Sequence, residues 1–322
     1  MNFSKRIRVC ALLGLFASFM TPYVWAQAAD GDDFRVTLLG TGSPPPDMKR
    51  FGPSVLVQAG GQTLIFDCGR GVTQRLFQLK VKLGAANTLF LTHLHSDHVV
   101  GLPDLWLTGW LETPYAQRKG PFRVYGPAGT RNLAENLEKA FDWDIKTRIA
   151  DQNLAKESVA IAATEIAEGV VYERDGVKVT AFEVNHGDLI KPAFGYRVDY
   201  GGRSVVMSGD TRFDENLIRH ATGADLLIHE VAAVREELLK SPVFQVILAH
   251  HVKPEEAGVV FSRAKPKLAV YSHIVLLGTP QVPAVTEKEV IEMTRKTYGG
   301  PLLVGEDLMA FAVGRGGVSV RP

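Results

Sequence analysis

Residues 92–101 read THLHSDHVVG and place three of the chain's nine histidines and an aspartate within six positions, directly after the apolar run NTLFL. A strand that ends in such a cluster constrains everything the remaining chain can fold into. Histidines two apart, His93 and His95, can point the same way from a loop, whereas the neighbours Asp97 and His98 diverge, so one loop can feed two adjacent metal positions. Zinc takes imidazole nitrogen and carboxylate oxygen in roughly tetrahedral sites, and a catalytic site keeps one position for water. A lone histidine is ordinarily satisfied by hydrogen bonds, but four donors at this spacing call for a cation and for further ligands from elsewhere.

Those further donors stand at strand ends. His186 closes FEVNH, Asp210 closes VVMSGD and His273 closes LAVYSH, which together supply the complement of a binuclear site. FRVTLLG, SVLVQ and TLIFD read as short strands between glycine and proline turns. GVTQRLFQLK reads as a helix with Leu76, Phe77 and Leu79 turned inward, and LPDLWLTGWLE and RNLAENLEKAFDW as helices on either side of the strand FRVYG. Residues 150–175 fit no element. Strands return in VKVTAFEVNH, AFGYRVDYG, RSVVMSGD, DLLIHE, KLAVYSH and DLMAFAV, alternating with helices such as KPEEAGVVFSRA and EKEVIEMTRKTY. Strand runs followed by helices, given twice, predict an α/β protein of two face-to-face sheets with helices outside, a four-layer αββα sandwich.

The first residues place Lys5, Arg6 and Arg8 ahead of an apolar run from Val9 to Met20, with Val24-Trp25-Ala26 following. This reads as a signal peptide over residues 1–26, cut after Ala26, and predicts a periplasmic protein. The run is shorter than the ~20 residues a spanning helix needs, and no later segment is apolar enough to cross a bilayer. Residues 27–322 show no linker or repeat and read as a single domain. Cleavage leaves Cys68 as the only cysteine, so no internal disulfide can form. A net charge of +1 argues against a polyanionic partner, and nucleic acid is expected to be an unlikely substrate.

HLHSDH matches the HxHxDH signature of the metallo-β-lactamase superfamily, which the chain resembles from about Arg35 to Val313, including LLGTGSPPPDMKRFGPSVLV and FDCGRGVTQRL. Within the superfamily these stretches look like the ribonuclease Z branch and the periplasmic arylsulfatase-type hydrolases, and AHHVKPEEAGVVFSRAKPKLAVYSHIV looks most like the latter. The resemblance implies that His93, His95 and His186 hold one divalent ion, that Asp97, His98 and His273 hold a second, and that Asp210 bridges them. Imidazole-rich ligation favours zinc, and two such ions together activate a shared water near neutral pH. In relatives an aspartate at the position of Asp67 orients a ligating histidine. In ribonuclease Z-like enzymes a glutamate in the motif matched by LLIHE supports a histidine in the motif matched by LAHHV, which carries over to Glu230 and His251. A protonated His251 would face the oxygens that gain negative charge. Asp97, Glu230 and His251 thus form the expected catalytic set, with His250 as the alternative to His251.

Other residues carry plainer expectations. His229 reads as a packed strand residue, His220 as a helix-end surface histidine and Cys68 as a small buried hydrophobe. Trp106 and Trp110 share a helix face and either pack in the core or wall an aromatic substrate. VFQVILA, before His250, is either a lid or buried chain. The expected function is an exported binuclear-metal hydrolase that cleaves a small-molecule ester, an aryl sulfate or a phosphodiester. A lactonase or a ribonuclease Z-type phosphodiesterase is the alternative, and a non-catalytic metal-binding protein is the alternative of another class. The leader and the lack of a dense basic arm between His98 and His186 count against transfer-RNA processing. Relatives in this branch often form homodimers, but no interface is legible.

Overall fold

The computed structural model describes residue 31 and residues 33–321, so the leader reading of residues 1–26 lies outside the described residues. The first sheet contains β1 (Phe34–Gly40), β2 (Ser54–Ala59), β3 (Gln62–Phe66), β4 (Thr88–Phe90), β5 (Phe122–Gly126), β6 (Ile161–Glu165), β14 (Ala310–Gly314) and β15 (Gly317–Arg321). Their order is β15-β14-β1-β2-β3-β4-β5-β6. The second contains β7 (Gly169–Arg174), β8 (Val177–Glu183), β9 (Phe194–Tyr200), β10 (Arg203–Met207), β11 (Leu226–Val234), β12 (Leu268–Leu277) and β13 (Leu302–Val304). Its order is β13-β12-β11-β10-β9-β8-β7.

Helices α1 (Val72–Gln78), α2 (Ser96–Val99), α3 (Leu102–Trp110), α4 (Thr130–Ala140), α5 (Asp142–Gln152) and α6 (Lys156–Val159) lie on the side of the first sheet. Helices α7 (Glu215–Ala221), α8 (Pro242–Leu248), α9 (Pro254–Ala264) and α10 (Glu287–Thr294) lie on the side of the second. Alternation along each strand builds three apolar layers. On β1, Phe34, Val36 and Leu38 enter the inter-sheet core, while Leu39 faces the helices. On β11, Leu226 and Ile228 point inward, and Leu227 and Val231 pack under the other helix layer. Strands buried on both faces read as nearly unbroken apolar runs, which is the pattern of these segments. The αββα sandwich is therefore the observed fold, and among the described residues no helix is long and apolar enough to cross a membrane.

The elements depart from expectation in three places. RNLAENLEKAFDW is split at Phe141 into α4 and α5, and residues 150–175 supply the end of α5 and all of α6, β6 and β7. Phe77 is 58% exposed instead of turned inward. Val72, Thr73 and Leu76 already occupy the buried face of the short α1, and Phe77 is rotated about 100° from Leu76. Trp106 and Trp110 are core residues, with indole N–H groups donating to the carbonyls of Val159 and Ala155. That removes the reading of these indoles as a substrate wall.

Candidate metal centre

Several chain segments converge at one edge of the two sheets. β4 ends at Phe90, and Thr92 to His98 follow as a loop entering α2. Asp210 follows β10 through Gly209, whose φ is +61° and where a Cβ would stand 2.4 Å from the carbonyl oxygen of Phe194, so only glycine fits. His186 follows β8 by three residues. His273 does not end its strand as expected, since β12 continues to Leu277. It sits at φ 45°, beside the register shift that β11 makes between His229 and Val231. This irregularity in the middle of two paired strands breaks the regular side-chain alternation and puts both Glu230 and His273 at the site.

The structure brings together all seven expected ligands. Oδ2 of Asp210 lies 3.9 Å from Nε2 of His93, 3.4 Å from that of His98, 3.8 Å from that of His186 and 3.3 Å from that of His273. Asp97 Oδ2 is 3.3 Å from His273 Nε2 and 3.6 Å from His98 Nε2. Nδ1 of His95 is 3.4 Å from Nε2 of His186. His93, His95 and His186 form one three-donor group and Asp97, His98 and His273 another, with Asp210 within reach of both. All are buried except His95, which marks the solvent side.

Divalent metal ions fit these residues. Nε2 of His93, Nε2 of His98 and Oδ1 of Asp210 are buried with no hydrogen-bond partner among the described residues. Polar atoms buried in this way are costly unless a cation gathers them. Burial holds His93 well below the usual histidine range and His186 at about 4, so both rings are neutral, the form that binds metal. Burial also opposes charge on His98, but the carboxylates of Asp210 and Asp67 outweigh it and raise its pKa well above the ordinary value. Without a cation, the His98 proton balances the carboxylates, and metal binding would release it.

A second ring of contacts orients the donors. Asp67 Oδ2 lies 2.8 Å from His98 Nδ1, and the same carboxylate accepts bonds from the amide and hydroxyl of Thr92, each at 2.8 Å. The Thr92 oxygen, its proton committed to Asp67, stands 3.0 Å from Nδ1 of His93 as an acceptor. Thr92 was missed from sequence, although its place immediately before the first histidine is the available signal. His186 Nδ1 donates to the carbonyl of His250 at 2.9 Å, so His250 serves the site through its backbone while its ring lies beside Gly187. Such partners fix tautomer and ring orientation.

Glu230 and His251 are paired as expected. Oε1 of Glu230 accepts the Val252 amide at 2.9 Å, and Oε2 stands 3.2 Å from Nδ1 of His251. Burial disfavours the His251 cation, yet Glu230 at its side and Asp210 behind it raise its pKa to about 9. Helix α8, just before His251, has no buried residue, which excludes the buried-chain reading of VFQVILA and leaves Val243 and Val246 exposed. His229 packs against Phe261 in the core, and Cys68 is fully buried. His220 is not a free surface residue, because its ring stacks on Phe182 at 4.4 Å.

Residues 62–274 match the model of the beta-lactamase superfamily domain. A protein named Ribonuclease Z from Mycolicibacterium gilvum is 36% identical over 290 residues, covering 89% of this chain and 98% of its own. One of the same name from Mycobacterium avium is 38% identical over 276 residues, covering 85% and 96%. Among solved structures, the short form of human tRNase Z superposes with a TM-score of 0.62 at 22% identity, over 86% of this chain and 98% of the other. The metallo-beta-lactamase fold protein YhfI of Bacillus subtilis gives 0.67 at 18%, over 87% and 99%. At those identities the structural likenesses establish the fold alone.

These relatives correct one expectation. Nucleic acid was taken as an unlikely substrate and a small-molecule ester as the partner, yet the curated relatives of nearly full length carry the name of a ribonuclease. The physical reason is that net charge is a sum over the whole surface, whereas a polyanion responds to the local field of the face it meets.

Proposed function

Because the chain belongs to the metallo-β-lactamase superfamily of metal-dependent hydrolases, we propose that it is a phosphodiesterase of the ribonuclease Z type, acting on an RNA strand with two divalent ions, zinc by preference. One observation carries the reading: seven donors from four separate chain segments gather at one site, with four of their imidazoles within 3.9 Å of Oδ2 of Asp210 and the Glu230–His251 pair at their edge. Paired divalent ions supply a nucleophilic water near neutral pH and neutralise the oxygens of a phosphoryl group. The chain's own residues do the rest. Asp97 furnishes negative charge within one group of donors and Asp210 between the two groups, and the neutral rings of His93 and His186 keep their lone pairs for coordination. His251, protonated and held by Glu230, stands where it can donate to a phosphoryl oxygen or to the departing oxygen of the cut strand. Near-complete coverage of the ribonuclease Z relatives supports the phosphodiester over the aryl sulfate.

The test is a purified preparation with its metals quantified, assayed on bis(4-nitrophenyl) phosphate, 4-nitrophenyl sulfate and RNA. Hydrolysis of the diester and of RNA, abolished by chelation and restored by zinc, is the expected result. Faster turnover of the sulfate, or metal binding without turnover of any substrate, would overturn the proposal.

A further inference from the structure

Two aromatic side chains stand in solvent on the first-sheet side of the molecule. Phe77, at the end of α1, is 58% exposed, and Tyr115, in the loop after α3, is 39% exposed. Their rings meet edge to face, with centroids 5.5 Å apart. They line a surface groove of about 530 Å³ together with Pro114, Lys80 and Lys82. Both lysines are exposed, and neither has an ion-pair partner among the described residues. Nearby acids are neutralised: Glu112 faces Lys119 at 3.8 Å, and Asp307 is bound by Arg75 at 2.8 Å. The local field is therefore positive although the whole chain carries only +1.

The groove connects to the metal centre through α1. The chain just before this helix touches the donor loop, since Cys68 donates to the carbonyl of His98 at 2.7 Å and a Cβ on Gly69 would lie 2.8 Å from the carbonyl oxygen of Asp97. Arg70 follows, exposed and without an ion-pair partner among the described residues. From there α1 runs seven residues, roughly 10 Å, past Phe77 to Gln78, and Lys80 follows two residues beyond its end. Exposed aromatic rings beside unpaired lysines are the elements of a single-strand platform, with bases stacking on the rings and phosphates meeting the ammonium groups. A purely apolar ligand would leave both lysines without a counter-charge.

We propose that the Phe77–Tyr115 groove, with Lys80 and Lys82, is a secondary binding site for single-stranded RNA a few nucleotides from the metal centre. The site rests on the RNA-phosphodiesterase reading given above. It raises the affinity for long strands and does not act on the reacting phosphate.

The full-length chain, loaded with zinc, is assayed for cleavage of a long mixed-sequence RNA and of bis(4-nitrophenyl) phosphate, which is too small to reach the groove. Phe77→Ala with Tyr115→Ala raises KM for the RNA roughly tenfold or more, with kcat retained and the small diester cleaved as before. Lys80→Ala with Lys82→Ala makes the log–log dependence of RNA affinity on salt shallower by about 1.4, the contribution of two single-strand phosphate contacts. A loss of general packing would lower both activities together and would not change the salt slope. If the wild type cleaves RNA and all four substitutions leave its KM and salt slope unchanged, the groove proposal falls and the enzyme reading stands. If the wild type cleaves the small diester yet neither binds nor cuts RNA, the RNA reading falls and takes the groove with it.

Discussion

Asp67 holds His98 through a 2.8 Å contact between its Oδ2 and the ring's Nδ1, and it does so from a left-handed backbone conformation, φ 57°. The aspartate thereby leaves His98 Nε2 pointing at Asp210. Asp67→Asn keeps a residue that tolerates this backbone but removes the charge that fixes the ring. Metal affinity should fall roughly 10–100-fold, as for other lost outer partners, in competition with a chromophoric chelator. Unchanged affinity would reduce Asp67 to a turn residue.

The Glu230–His251 pair makes a pH prediction. His251 has a raised pKa, about 9, so its proton is present at neutral pH and is lost as pH rises through that value. Glu230→Gln removes the carboxylate that raises it, so the alkaline limb of kcat against pH moves toward neutrality. His251→Ala should slow turnover roughly 10²–10⁴-fold with both metals retained, the size expected for a lost general acid. A Glu230→Gln profile superimposable on the wild type would break the link between the two side chains.

The share of this site that was legible in sequence follows chain locality. His93, His95, Asp97 and His98 announce themselves because one loop carries them, and Asp210 because it follows the end of its strand by three residues. His273 and Glu230 lie with the other expected residues, but their position inside long strands was not readable. It depends on a register shift between β11 and β12, a pairing between segments some forty residues apart. Thr92 escaped because its role comes from a hydroxyl shared between Asp67 and His93. Phe77 was misplaced because an apolar residue was taken to need burial, although a seven-residue helix offers only one narrow inward face. The fold class was readable from strand and helix order, whereas the lengths of β4, β11 and β12 were set by neighbours in the sheets.

The tryptophans of α3 yield a stability prediction. Trp106 is fully buried, packs edge-on against Phe141 with centroids 6.1 Å apart, and donates to Val159. Trp106→Ala should cost about 3–5 kcal/mol, read as a lower denaturation midpoint. At temperatures where the variant is folded, KM for aromatic and non-aromatic diesters should change alike. A selective rise for aromatic substrates would restore the substrate-wall reading.

Export is proposed from the leader. Three basic residues, the apolar run Val9 to Met20 and Val24-Trp25-Ala26 support cleavage after Ala26 in the course of translocation. N-terminal sequencing of the protein purified from the periplasmic fraction should begin at Gln27. A chain recovered from the cytosol with Met1 intact would overturn both the cleavage site and the location.

Asp210 stands within reach of both groups of three donors. Its Oδ2 lies within 3.3–3.9 Å of four imidazoles, and it keeps its charge although it is buried, because His273 and His98 outweigh the cost of burial. Removing the carboxylate leaves each group of three donors without the anion between them and removes the negative charge that two cations need at close range. Asp210→Ala should therefore retain at most one equivalent of zinc by elemental analysis and lose turnover on both bis(4-nitrophenyl) phosphate and RNA. Chelated wild-type protein, unlike the variant, should recover full activity when zinc is returned. A variant that holds two equivalents and still turns over either substrate would show that the centre is not built around this carboxylate.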